Sequence, residues 1–414
     1  MKESLEEWEL EPLSGDEVID AGAEEELFRR VGQAAAGEQL RQRWEAADVP
    51  RILECTRCQQ SLKPLGRRRK RLQSVCGGLE LERRVYYCRE CGEIRVPLDE
   101  RLGVVKGSMT AGLMRLVCRT ALELPFEQSQ QLLTDSLGFA PCSAREVERV
   151  AGRHGQLLEL MEPVAATGQR SRRVRYCLAI DGTMIPGLPD RAMHRLCWHE
   201  VKLAIGFDPR EIERPFYVAG REDVESFGQR LWEQLQRRGL EPTSFQLILG
   251  DGAPWIWNLA EMHLPGVRQL LDFYHAAEHL FATAELLWPG GRGNGWWQRR
   301  LAQLKQGELR NFFAALQRLA RTHRNIDSDS SPQRLLQYFR ENQERLHYQW
   351  AIQNDLPIGS GVVESGASHI VQQRLKQSGM RWGDPGAQAI LNLRTLHRNG
   401  AFEQYWENFA AVGF

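Results

Sequence analysis

"VRYCLAID", residues 174–181, is a short apolar run that closes on a carboxylate. Its length and its Val, Tyr and Ile content suit a buried strand better than a helix. Two further strands follow, "EVKLAIGFD" (200–208) and "RPFYVAG" (214–220), joined by a short polar turn. "EDVESFGQRLWEQLQRRG" (222–239) has the spacing of an amphipathic helix. "SFQLILGDGAPWIWNLAEM" (244–262) reads as a strand and then a helix, and "VRQLLDFYHAAEHLFAT" (267–283) as another such pair. The order is β-β-β-α-β-α-β-α. The first three strands are close enough for a meander, and the later ones need helical crossovers. This predicts an α/β core built on a mixed sheet.

Two carboxylates stand out. Asp181 and Asp251 each close an apolar strand, and each is followed by glycine. The carboxyl ends of buried strands are the usual place for an α/β active site. A third is Glu364, in "IGSGVVESGASHIVQQRLKQSGMRW" (358–382). At about 100° per residue, Glu364 falls at the edge of the stripe made by Val363, Ala367, Ile370 and Val371. A surface-filling Glu would take the far side. The "GSG" before it lets the backbone turn close to the sheet, and the start of a helix favours an anion. If the first and fourth strands are neighbours, Asp181 and Asp251 meet within reach of one cation and Glu364 completes the set. Three oxygen ligands suit Mg²⁺ or Mn²⁺, and two such ions about 3.5–4 Å apart serve phosphodiester cleavage and transfer. Asp272 also closes an apolar strand and is the alternative second acid. If its strand is the next one out, it lies about 4.8 Å further off.

Outside this core the sequence changes character. Residues 1–50 are acidic and helical in pattern, and a helix there could pair with a second chain. In the segment 51–105, Cys55 and Cys58 are separated from Cys88 and Cys91 by 29 residues. Two CxxC pairs at that spacing predict a zinc ribbon holding one structural Zn²⁺, since thiolates are soft ligands that close a tetrahedron. The basic tract "GRRRKR" (66–71) lies between the pairs, and Arg67, Arg68 and Arg69 are candidate DNA contacts. Residues 106–165 predict short helices, with Ser143 and Glu146 at capping-box spacing. A helix-turn-helix there would place Arg145 and Arg149 on its recognition helix. Residues 288–355 read as a helical insertion in which Trp296, Trp297 and many Arg residues could hold DNA. Arg374, Lys376 and Arg381 follow Glu364 and are candidate phosphate contacts. The chain has 414 residues and equal numbers of basic and acidic side chains, so its net charge says nothing about partners. It contains no run of 18 apolar residues, and its acidic start is unlike a signal peptide.

Four stretches are similar to a known family: "AIDGTMIPG", "LILGDGAPWIWN", "LLDFYHAAEHL" and "GSGVVESGASHIVQQRLKQSGMRW". Together they resemble bacterial insertion-sequence transposases of the Kra type, within the DDE transposases and distantly related to Mutator-type elements. The resemblance spans about 173–400. It implies an RNase H-like core in two parts, 172–287 and 356–400, followed by a tail at 401–414. It implies that Asp181, Asp251 and Glu364 are the catalytic acids. It also implies nicking at element ends and attack of the freed 3′-hydroxyl on target DNA, using two Mg²⁺ or Mn²⁺ ions. His275 matches a position near the active site of related transposases, where it could support the metals, touch phosphate or only pack. The expected partners are DNA and further copies of the chain, and the expected location is the nucleoid-associated cytoplasm, with no membrane. Two other readings stay open: a DNA-binding protein that kept the fold without the chemistry, and a nuclease without strand transfer.

Overall fold

The computed structural model describes residues 20–105, 107–160, 175–189, 197–359 and 361–412. It divides into two units, one from residues 1–154 together with 402–414, the other from 155–401. Most of the acidic N-terminal stretch lies outside the described residues.

In the first unit, helix α1 (Ala21–Ala46) starts at Asp20, whose side chain accepts the Ala23 N–H. It lies on an antiparallel sheet of β1 (Lys63–Ser74), β2 (Gly77–Tyr87) and β3 (Ile94–Arg95). Leu72, Leu81 and Val104 are buried under Trp44 and Leu102. The "GRRRKR" tract runs along β1, where alternate side chains face opposite sides. One of its cations is used internally: Lys70 Nζ and Arg83 Nε meet the buried Asp99 at 3.1 and 2.8 Å. Four helices follow, α2 (Pro97–Arg101), α3 (Ala111–Ala121), α4 (Phe126–Leu137) and α5 (Ala144–Leu160). α4 ends at Gly138, in the left-handed region at φ 71°. α5 begins with the capping box its sequence predicts: Glu146 N–H donates to Ser143 Oγ, and Ser143 N–H donates to Glu146 Oε2. The last helix of the chain, α16 (Phe402–Val412), closes this unit. The buried His154 holds it, with Nδ1 at 2.7 Å from the Tyr405 hydroxyl and its ring against Trp406 and Phe409. Burial, and then Arg153, pulls the His154 pKa down to about 3, so the ring is neutral in the fold.

The second unit is a five-stranded sheet flanked by helices. Its strands are β4 (Tyr176–Pro186), β5 (Trp198–Asp208), β6 (Glu211–Gly220), β7 (Phe245–Gly250) and β8 (Gln269–Leu271). Their spatial order is β6-β5-β4-β7-β8. The meander β4-β5-β6 is antiparallel, and β7 and β8 join parallel to β4. Helices α6 (Val224–Arg237), α7 (Pro254–His263) and α8 (Phe273–Leu287) supply the crossovers and the exit, in the order the hydrophobic pattern predicts. β7 is buried at every position but the half-buried Gln246, as suits a strand covered on both faces.

The stretch after α8 is helical: α9 (Asn294–Lys305), α10 (Leu309–Thr322), α11 (Pro332–Glu341) and α12 (Tyr348–Gln353). Trp296 packs against Trp288 and Trp297 against Phe281, at ring separations of 5.7 and 5.8 Å. The chain then returns to the sheet through α13 (Gly361–Ala367), a π-helical turn at Ser368–Gln372, α14 (Gln373–Leu375) and α15 (Asp384–Arg398). No helix among the described residues is long and apolar enough to cross a membrane.

Candidate active site

Strand register builds the site. In the parallel pair β4–β7, Leu178 lies opposite Ile248 and Ala179 opposite Leu249. Two further steps in that register set Asp181 beside Asp251. In β7–β8, Gly250 lies opposite Leu271, and one further step sets Asp251 beside Asp272. Three carboxylates therefore occupy one row across three adjacent strands, about 4.8 Å apart per strand. Asp181 does not end its strand, as the sequence led us to expect. β4 runs on to Pro186 because β5 continues to pair with it as far as Trp198, whereas β7 stops at Gly250. Asp181 stands where the parallel neighbour leaves and one edge of β4 opens.

Asp181, Asp251 and Asp272 line a cleft of about 120 Å³ together with Ile180, Gly250, His275 and Glu278. Each aspartate is held by backbone. Asp181 Oδ1 accepts the Gly182 N–H at 2.7 Å, and Asp251 Oδ1 the Ala253 N–H at 2.8 Å. Asp272, 1 % exposed, caps α8 by accepting the N–H groups of Tyr274 and His275 at 2.7 and 3.0 Å. Crowding shows in the electrostatics. Burial, and then the charge of Asp251, pushes the Asp181 pKa up to about 6, with Asp272 adding to the rise and His275 opposing it. His275 Nδ1 is 3.5 Å from Glu278.

The helical insertion reaches this cleft, which no local sequence signal indicated. The Tyr338 hydroxyl, on α11, donates to the Asp251 carbonyl at 2.8 Å. Its ring lies against His279 at 4.1 Å. Burial, and then Asp251, raises the Tyr338 pKa, so the phenol stays a donor. Gly252, at φ +107°, makes the turn; a Cβ there would sit 2.9 Å from Tyr338.

Glu364 lies on α13, and its side chain is outside the described residues. The backbone of its segment is anchored on both sides. Upstream, the Phe273 N–H at the start of α8 donates to the Ile358 carbonyl at 2.9 Å. On α13 itself, Gly366 lies directly on Ile205 of β5, leaving no room for a Cβ. Downstream, the Trp382 N–H donates to the Pro186 carbonyl and the Leu188 N–H to the Trp382 carbonyl, both at 3.1 Å. Lys376 Nζ donates to Thr183 Oγ1 at 2.8 Å, two residues along β4 from Asp181. Burial lowers the Lys376 pKa and Asp181 opposes that shift, which puts the ammonium in the field of the cleft.

The other candidate cations divide. Arg374 is not a surface contact: it is 0 % exposed, with its guanidinium 5.1 Å from the Trp382 ring and Nη1 at 3.5 Å from Met380 Sδ. It falls on the buried stripe with Ile370 and Leu375, and the fold spends it on packing. Arg381 is exposed. In the first unit, Arg67, Arg68 and Arg69 are exposed on β1, but Glu82 lies 3.5 Å from Arg67 and Glu80 lies 3.1 Å from Arg69. Cross-strand carboxylates thus offset part of the basic tract. Arg145 and Arg149 are exposed on α5.

The four cysteines Cys55, Cys58, Cys88 and Cys91 converge, with all sulfurs within 4.8 Å of one another. Two matching turns hold them. Cys55 N–H donates to Gln60 O and Gln59 N–H to Cys55 O, and Cys88 N–H donates to Glu93 O and Gly92 N–H to Cys88 O. Gln59 and Gly92 occupy the same place in their turns and share a positive φ, 60° and 71°. The cluster has the donors and the spacing to hold a metal ion.

A family model covers residues 25–408. The chain belongs to the Uncharacterised protein family (UPF0236). No curated protein matches it. Among solved structures, the Drosophila P element transposase strand transfer complex is similar at a TM-score of 0.27 and 11% identity, over 75% of this chain and 83% of that one. That likeness is too weak to assign a fold.

Proposed function

We propose that this chain is a DNA transposase of a bacterial insertion sequence, a DDE enzyme on an RNase H-like core that cuts element ends and joins them to target DNA. The observation that carries this reading is the row of Asp181 and Asp251 on neighbouring parallel strands, with the Glu364 helix packed on β4 and β5. The strand order, three antiparallel strands followed by two parallel ones, supports an RNase H-like arrangement. So do the motif resemblances around each acid.

The carboxylate row fits divalent ions. Burial, and then the neighbouring charge of Asp251, raises the Asp181 pKa, and a hard cation would offset both the desolvation and the repulsion. Two Mg²⁺ or Mn²⁺ ions bound there would activate the attacking oxygen and stabilise the leaving one. Asp181, Asp251 and Glu364 are the ligands we assign. Tyr338 fixes the Asp251 backbone, and Lys376 offers a charge for a phosphate beside Asp181. His275 stands where it can touch either ligand or phosphate. In the first unit, the Cys55–Cys58–Cys88–Cys91 cluster fits one Zn²⁺: a tetrahedron with Zn–S of about 2.3 Å has edges of about 3.8 Å, against sulfur separations of 3.3, 3.4 and 3.8 Å. We assign 51–105 as a zinc ribbon and 106–165 as a helix-turn-helix that reads element ends through Arg145 and Arg149. Two or more copies would act together on DNA at the nucleoid.

The test is incubation with labelled candidate end DNA and Mn²⁺, with products resolved on a gel. Joined products support a transposase, cleaved ends alone support a nuclease, and bound but intact DNA supports a binding protein. Asp272→Asn is expected to slow cleavage less than Asp251→Asn, because its carboxylate is occupied in capping α8. The reverse order in the same gel would make Asp272 the second acid.

A further inference from the structure

The helix that carries Glu364 is not regular. Between α13 and α14 the chain makes one π-helical turn at Ser368–Gln372, where the Gln373 N–H bonds the Ser368 carbonyl, five residues back. Such a turn adds one residue without adding a turn of helix. Positions 364 and 376 are twelve residues apart. At about 100° per residue, an unbroken α-helix would set them about 120° apart around its axis. Removing about 100° for the added residue leaves about 20°. The π turn therefore brings the backbone of Glu364 and that of Lys376 to one side of the rod. Lys376, on that side, reaches Thr183, two residues along β4 from Asp181, whereas Gly366, about 200° round the helix from Glu364, is the position that packs on Ile205.

A π turn leaves carbonyls without their usual helical donors. Here Ile370 and Val371 are fully buried, so water is a poor substitute. Arg394 of α15, 1 % exposed, supplies the donors: Nε donates to the Ile370 carbonyl at 2.8 Å and Nη2 donates to the His369 carbonyl. The planar fork of a guanidinium can meet two adjacent carbonyls at once, which an ammonium does less well. Nothing in the local sequence around Arg394 distinguishes it from a surface arginine of an amphipathic helix.

We infer that Arg394 is a positioning residue for the candidate active site. Its guanidinium holds the π turn, and the turn sets the angle at which the Glu364 helix and Lys376 meet the Asp181–Asp251 row. The inference rests on reading those acids as one metal-binding cluster, and its test separates the two claims. The full-length protein is compared with Arg394→Met, Arg394→Lys and Arg394→Met lacking Gln372. Each is measured for thermal melting, Mn²⁺ binding by electron paramagnetic resonance, and cleavage of end DNA. Deleting Gln372 removes the extra residue and lets the segment close as a plain α-helix.

Arg394→Met is expected to melt earlier, to bind Mn²⁺ about 10-fold more weakly, and to lose about 10²-fold in kcat with the KM for DNA unchanged. Arg394→Lys should recover part of both. The deletion in the Met background should restore the melting temperature but neither Mn²⁺ affinity nor kcat, a split that a merely structural role does not produce. Should Arg394→Met fail to fold, Arg394→Lys carries the comparison, with weaker Mn²⁺ binding at a near-normal melting temperature expected. Wild-type Mn²⁺ affinity and kcat in a folded Arg394 variant, or recovery of both on deletion, would overturn the inference alone. A wild-type protein whose Mn²⁺ binding does not depend on Asp181 would overturn the proposed metal site and the inference with it.

Discussion

Asp181→Asn and Asp251→Asn are each expected to lower Mn²⁺-dependent cleavage of end DNA by roughly 10³-fold or more while leaving end binding intact, a loss of at least about 4 kcal/mol of transition-state stabilisation. The same replacement at Asp181 should stabilise the metal-free protein. Its folded pKa of about 6 lies above the value of about 3.9 in an unfolded chain. The folded state therefore keeps a proton that the unfolded state has lost between about pH 4 and pH 6. Stability falls as pH rises through that window and stays low above it. The penalty at neutral pH is about 3 kcal/mol, and Asn does not pay it. Without divalent ions at pH 8, the Asn variant should melt about 5–10 °C higher than wild type. Mn²⁺ should raise the wild-type melting temperature and leave that of the variant nearly unmoved. Full cleavage by either variant would remove that residue from the site, and a metal-independent melt would remove the cation from the account.

Zinc removal is the second large effect. The ribbon around the cysteines has a core of only Cys55, Leu62, Tyr86 and Cys88, with Leu53 and Cys58 packed beside it. A core of that size does not hold a fold by itself. Burial pushes the Cys55 thiol up to about 12, whereas the Cys91 backbone N–H pulls Cys88 down to about 7, so a bound cation is what would keep Cys55 and Cys88 together as thiolates. Cys88→Ser, or a strong chelator, is expected to release close to one zinc per chain and to unfold the ribbon, a change comparable to the stability of a small domain. Metal analysis with hydrogen exchange over residues 51–62 and 86–95, the part of the ribbon around the cysteines, checks this. A purified protein without metal whose ribbon amides stay protected would reject the zinc site.

What the chain order alone made legible was local in origin. Strand and helix order from residue 174 to residue 287 follows from hydrophobic period and turn residues, and the Ser143–Glu146 capping box and the Cys55–Cys58 and Cys88–Cys91 pairs follow from spacing. Asp181, Asp251 and Asp272 could be singled out because each follows an apolar run. Their common row could not, since register between β4, β7 and β8 depends on how two crossovers pack. Nor could the continuation of β4 past Asp181, which pairing with β5 decides. Arg374 looked like a surface cation because charge is read residue by residue, whereas its burial against Trp382 depends on the chain folding back on itself. Tyr338 and Arg394 belong to the same class. Each donates to a carbonyl distant in sequence, on Asp251, His369 or Ile370, and such bonds leave no mark on periodicity. Local free-energy preferences write the elements and the metal-ligand pairs into the sequence; which side chains share a site is settled by long-range packing, where the partner is fixed by geometry rather than by neighbours along the chain.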